Sequence, residues 1–157
     1  GNRLDINIAE YIRKKYSLAI GERTAEEIKI NIGSALYLEE KLYLDIRGRD
    51  MVTGLPKTIT VSSDDVTEAI QGDLEGIVAA VKNVFHQTPP ELSADVIDKG
   101  IVMSGGSSLL RNIDKLITQA TGVSAYVADD ALFCVVKGTG IALDNLESYK
   151  RSILATK

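Results

Sequence analysis

Glycines and hydroxyls meet in the stretch Met103-Ser104-Gly105-Gly106-Ser107-Ser108-Leu109-Leu110, which continues the short apolar run Ile101-Val102-Met103. Read as a turn from a strand into a helix, it exposes backbone amides at a helix N-terminus. It also sits at the carboxyl end of a strand, where ligands of open α/β sheets collect. Gly105 and Gly106 have no Cβ, so a nucleoside could lie close against the chain there. The same residues equally suit an ordinary tight turn followed by a serine N-cap. No lysine follows the glycines, which rules out a Walker loop, and the spacing is not that of the dinucleotide turn G-x-G-x-x-G. A second candidate is the pair Glu26 and Lys29, three residues apart on one edge of an expected helix. Its plain alternative is a surface ion pair.

Other chemistry is missing. His86 is the only histidine, so no serine or cysteine has a histidine partner, and no cluster has metal-ligand spacing. Cys134 lies in the apolar run Leu132-Phe133-Cys134-Val135-Val136 and reads as a buried structural thiol. Asp64-Asp65 and Asp129-Asp130 resemble paired carboxylates, but both open expected helices, where acidic side chains complement the dipole, and both read as caps.

The elements that would position these residues follow from periodicity. Leu4, Ile8, Tyr11 and Ile12 mark an amphipathic helix ending in Arg13, Lys14 and Lys15. Thr24 and Glu27 form a capping-box pattern that predicts a helix start at Thr24, with Gly33 as a left-handed C-terminal residue. Leu42, Leu44 and Ile46 alternate with polar residues. Strands are therefore expected over 35–38, 42–47 and 58–61. Ser62 and Ser63 then cap a long helix carrying Ile70, Leu74, Ile77, Val81 and Phe85, with Gly72 a candidate break. Thr88-Pro89-Pro90 ends it and opens a short helix closed by Gly100. After the glycine turn come a helix from Leu109 to Ala120, a strand over 123–127, and a last helix bearing Leu132, Val135, Val136, Leu143 and Leu146, with a frayed tail after Tyr149. The expected organisation is a helical and α/β lobe (1–33 and 88–157) interrupted by a small sheet-plus-helix lobe (34–87).

Bulk properties agree with a folded chain. The 157 residues, 45% hydrophobic and 25% charged, suffice for one substantial core. A net charge of −4, with both signs mixed along the chain, offers no basic stripe to nucleic acid. No run approaches the roughly 18 apolar residues of a membrane span. The first twenty residues also lack the apolar region of a signal peptide, so a cytoplasmic chain is expected.

Five segments carry a more specific signal: Leu18-Ala19-Ile20-Gly21-Glu22-Arg23-Thr24-Ala25-Glu26-Glu27-Ile28-Lys29, Ile46-Arg47-Gly48-Arg49-Asp50, Gly54-Leu55-Pro56, Thr88-Pro89-Pro90-Glu91-Leu92 and Ser104-Gly105-Gly106. In order and spacing they resemble the MreB/Mbl family of bacterial rod-shape-determining actin homologues, over essentially the whole chain. The resemblance implies a fold class of α/β, a partial actin-like (ribonuclease H-like) domain II: the lobe of 1–33 and 88–157 would be subdomain IIA, and 34–87 an inserted subdomain IIB. It also implies ATP as ligand, with Mg in the full-length protein. Glu26, Glu27 and Lys29 would line the adenine and ribose end, and Gly105, Gly106, Ser107, Ser108 and Leu109 the adenosine and inner phosphate side.

Two departures stand out: Ser107 replaces the third glycine usual in the family, and Gly1-Asn2-Arg3-Leu4-Asp5 has one carboxylate fewer than the family's Gly-Asp-x-Phe-Asp-like opening. The family's two glycine-rich phosphate hairpins, its water-orienting side chain and its membrane-binding amphipathic element are expected outside this segment. The chain alone is therefore expected not to hydrolyse ATP, although the full-length family is a weak filament-coupled ATPase. The implied partners are further copies of the protein in head-to-tail filaments, together with membrane proteins of cell shape and wall synthesis, at the inner face of the cell membrane. Membrane contact would be made only through parts outside this segment. The alternatives are an Hsp70-like or sugar kinase-like ATPase of the same superfamily, or a stand-alone protein-binding module.

Overall fold

The computed structural model describes residues 1–146; the tail after Tyr149 lies outside them. Helix α1 (Asn2–Tyr16) buries Leu4, Ile8 and Ile12 along one face and gathers Arg13, Lys14 and Lys15 in its last turn. Ser17, in the left-handed conformation, ends it. The chain then forms a two-residue strand, β1 (Leu18–Ala19), before helix α2 (Glu22–Ile32).

Helix α2 starts two residues ahead of the expected Thr24. Gly21 is its N-cap in extended conformation and no side chain caps it, so the capping box of Thr24 and Glu27 is not formed. The Gly21 carbonyl instead accepts from the Ala25 amide, and Glu22 places a carboxylate in the first turn. At the other end Gly33 is extended (φ −66°, ψ 139°), contrary to the left-handed expectation. Glycine is needed there for space, because a Cβ would lie 2.3 Å from the Lys29 carbonyl oxygen.

The strand expected over 35–38 is absent. Ser34, fully buried, makes one parallel bridge to Arg111, and the Ala35 amide donates to the Arg111 carbonyl at 2.8 Å. The Ser34 hydroxyl donates to the Leu36 carbonyl and accepts from Asn112 Nδ2, so this side chain occupies groups that a partner strand would otherwise use. The sheet instead consists of β1, β2 (Tyr43–Asp50) and β3 (Pro56–Ser62), antiparallel in the order β1-β2-β3. Leu18 pairs with Asp50, and β2 faces β3 from Tyr43 opposite Ser62 to Arg49 opposite Pro56. Ile46 and Val61 point into the core. At Gly48 a Cβ would lie 2.5 Å from the Ala19 carbonyl oxygen, so a side-chain-free residue is what lets β1 dock.

Helix α3 (Ser63–Gln87) is continuous through Gly72, where an added Cβ would meet nothing. A reciprocal capping box opens it: Asp65 N–H donates to Ser62 Oγ, and the Ser62 amide donates to the Asp65 carboxylate. Asp64 pairs with Lys41 at 2.8 Å. Val66, Ile70 and Leu74 pack beneath α1, and a row of polar contacts closes the rim of that interface. Arg3 and Asn7 meet Asp73, Tyr11 meets Glu68, and Lys15 reaches Asp65 at 2.6 Å. These α1 residues recur every fourth position while their α3 partners run backwards, as an antiparallel pair requires.

Beyond Thr88, helix α4 (Pro90–Lys99) leads through Gly100 to strand β4 (Ile101–Met103). A 3-10 turn spans Gly106–Leu109, and helix α5 (Ile113–Thr121) follows only after left-handed Asn112, so the single helix expected from Leu109 is broken. The Arg111 carbonyl is turned outward to Ala35 and Ser34, which a continuous helix would forbid. Strand β5 (Ala125–Val127) lies parallel to β4. Asp130 is the left-handed N-cap of a 3-10 turn over Ala131–Phe133, but its side chain makes no capping bond and pairs with Lys137 instead. Helix α6 (Cys134–Asp144) buries no residue. Leu132, Val135, Val136, Leu143 and Leu146 are exposed, and Cys134 is half-buried, not enclosed as its neighbours suggested. One apolar cluster, including Leu4, Ile8, Ile28, Ile46, Val61, Ile70, Leu110 and Ile113, joins α1, α2, the sheet and α3 to the turn before α5.

Candidate functional site

The start of α1, the last turns of α2 and the glycine turn converge on a cavity of about 750 Å³. Helix periodicity accounts for two of its walls. In α1, Leu4 and Ile8 face the core and bring Asp5 of the same turn to the cavity; in α2, Ala25, Ile28 and Ile32 are buried, which leaves Glu26, Lys29 and Ile30 on the adjoining edge. The third wall is Gly106, Ser107 and Leu109, with Leu110, Arg111 and Leu132 behind them. Gly105 has a positive φ of 85°, and its amide donates to the Ala131 carbonyl, which holds the turn against the segment before α6.

Polar groups converge at the bottom. Lys29 Nζ lies 2.7 Å from Asp5 Oδ1, and the two side chains are only 15% and 10% exposed. Lys29 therefore pairs across to α1, and the surface pair with Glu26 is not formed. Gly1 sits over this ion pair: a Cβ there would lie 3.8 Å from Ser107 Oγ and 4.0 Å from Lys29 Nζ. Asp5 occupies the first turn of α1 and Lys29 the last turn of α2, so each charge also suits its own helix dipole.

Of the eight residues singled out from the sequence, Glu26, Lys29, Gly106, Ser107 and Leu109 line the cavity. Glu27 turns away to pair with Arg23 at 3.4 Å. Ser108 is buried behind the turn, its hydroxyl donating to the Gly105 carbonyl at 2.6 Å, and Gly105 anchors the turn from outside the lining. Sequence reasoning missed Asp5, Ile30 and Arg111 as wall residues. Asp5 had a signal, since one carboxylate stood among the apolar positions of α1. Arg111 had none, because its place depends on the break in the helix after Leu109.

A second cavity of about 410 Å³ lies between α3, α5 and Leu36-Tyr37, lined mainly by apolar side chains. It carries no converging charges comparable to Asp5 and Lys29. Among the described residues no group of three or more His, Cys, Asp or Glu side chains is placed to hold a metal ion.

Comparison with known proteins identifies the relatives of this chain. The family model described as MreB/Mbl protein matches residues 1–151. The chain is 47% identical to the cell shape-determining protein Mbl of Bacillus cereus over 154 residues, covering 98% of this chain and 46% of that protein. It is 43% identical to the cell shape-determining protein MreB of Escherichia coli K12 over 149 residues, covering 95% of this chain and 43% of that one. The chain thus spans somewhat less than half the length of these relatives. Among solved structures, MreB5 of Spiroplasma citri bound to AMPPNP superposes with a TM-score of 0.89 at 36% identity, over 98% of this chain and 46% of that one. The MamK double helical filament superposes with a TM-score of 0.70 at 19% identity, over 84% and 40%, a likeness of fold alone. The fold is a partial actin-like domain of mixed helix and sheet.

Proposed function

The chain belongs to the MreB/Mbl protein family, and from that premise we propose that it forms one wall of the ATP cleft of a bacterial actin-like protein whose filaments control cell shape. The observation that carries the reading is the cavity between α1, α2 and the glycine turn, with the Asp5 and Lys29 pair at its base. Its volume and its few convergent polar groups among apolar walls suit the nucleoside portion of a nucleotide. Further support comes from MreB5 of Spiroplasma citri, solved with AMPPNP and with ADP.

In this reading Glu26 and Lys29 face the adenine and ribose. Gly106, Ser107 and Leu109 pass along the adenosine and the inner phosphate, and Gly105 and Ser108 fix the turn that presents them. Glu27 flanks Glu26 at the rim. Among the described residues no group of three or more His, Cys, Asp or Glu side chains is placed to hold a metal ion by itself, and in this reading Mg enters with the nucleotide. Residues 1–33 and 88–157 would be subdomain IIA and 34–87 subdomain IIB. Head-to-tail stacking of copies would generate an open filament beneath the cell membrane, alongside membrane proteins of wall synthesis. No helix of the described residues is long and apolar enough to cross a membrane; in this reading membrane contact is made only through parts outside this segment.

The test is ATP titration of the natural polypeptide, with sedimentation of polymer as a second readout. Saturable ATP binding with ATP-dependent pelleting is the expected result. Absence of ATP binding would remove the cleft reading, and binding without pelleting would remove the filament.

A further inference from the structure

Asp5 belongs to the first turn of α1, where a carboxylate suits the helix dipole, but that role is served as well at the surface and does not call for a carboxylate only 7% exposed. It is placed on Lys29 of α2 at 2.7 Å. The contact is an ion pair without hydrogen-bond alignment, so the buried Oδ1 has no well-directed donor. A buried carboxylate oxygen whose one close polar neighbour is the Lys29 ammonium calls for an explanation. The pair lies at the cavity wall, beside Gly1 and the Ser107 hydroxyl. The other charged side chains lining the cavity are Glu26 and Arg111, one of each sign.

An unpaired ammonium in such a wall would draw the most highly charged part of any nucleotide toward itself. Paired with Asp5, it presents no net charge. Its remaining N–H groups can still donate to neutral acceptors such as a ring nitrogen or a sugar hydroxyl. We propose that Asp5 is a positioning residue: it holds the Lys29 ammonium in the cavity wall and cancels its charge, so that this wall receives the uncharged nucleoside end of the ligand and not a phosphate. The inference rests on the reading of the cavity as a nucleotide site.

The experiment uses the natural polypeptide and its Asp5→Asn, Lys29→Met and doubly substituted forms. Dissociation constants are measured for ATP and for two part-ligands, adenosine and inorganic tripolyphosphate. Asp5→Asn should weaken adenosine by about tenfold, since ion-pair couplings of this kind are worth about one decade, and should tighten tripolyphosphate by freeing the Lys29 charge. Lys29→Met should weaken adenosine without any gain for tripolyphosphate. The double form should resemble Lys29→Met, and because both charges leave together it keeps the question open to measurement if Asp5→Asn folds poorly. Equal changes for the two part-ligands in Asp5→Asn, or a loss of thermal stability with the adenosine to tripolyphosphate ratio unmoved, would overturn the role given to Asp5. If the unsubstituted protein binds no ATP, the failure is instead that of the nucleotide reading itself.

Discussion

At the scale of single residues, Asp65 carries the most connected carboxylate among the described residues. It accepts from Lys15 at 2.6 Å, from Tyr16 OH at 2.9 Å and from the amide and hydroxyl of Ser62. Burial alone would raise its pKa. The Lys15 ammonium, then the Ser62 amide and hydroxyl and the Tyr16 hydroxyl outweigh that, and the carboxyl titrates below its ordinary value. A carboxyl depressed in the folded state contributes stability that is present above its unfolded pKa and is lost as pH falls through the folded one. Thermal midpoints should therefore be level above about pH 4, the ordinary aspartate range, and drop below it. Asp65→Asn should cost about 1–3 kcal/mol at neutral pH and flatten the acid branch; an unchanged acid branch would show that other carboxylates dominate. The cap itself was legible, since serine before an acidic run is a local signal. Lys15 and Tyr16 as its partners were not, because they come from a helix some fifty residues earlier in the chain.

At the scale of elements, periodicity identified α1 and α3, whose buried stripes are long enough to read, and a capping-box pattern pointed to α2 although that box is not formed. Periodicity misplaced what depends on neighbours. The 35–38 strand failed because Ser34 satisfies local backbone groups itself, and β1 escaped notice because two residues show no period. Gly48 joins these pieces. Its missing side chain admits the Ala19 carbonyl, so Gly48→Ala should force β1 away and cost about 1–3 kcal/mol by overpacking. Urea titration would register the loss, and limited proteolysis should then cut near Ser17 to Gly21, whereas Gly72→Ala, open to solvent in α3, should not open that site. The candidate site divides the same way: the glycine turn and the α2 edge stand out in sequence, while Asp5 joins them only once α1 is laid against α2.

At the scale of the whole molecule, burial is uneven. The shared core draws on α1, α2, the sheet and the first half of α3, whereas α4 and α6 bury none of their residues. Native-state hydrogen exchange should rank the chain accordingly, with amides of α1, α2 and the first half of α3 protected longest and those of α4 and α6 exchanging fastest. Uniform protection across both groups would contradict the packing. The same unevenness bears on how the chain could move. The polar contacts along α1 and α3 are set at Arg3, Asn7, Tyr11 and Lys15, like teeth of a rack engaged at four points. Sliding one helix past the other by a turn, about 5.4 Å, would disengage every tooth before any re-engaged. Relative sliding of α1 and α3 is thereby resisted, so movement of the cavity walls falls more readily on the segments on either side of them.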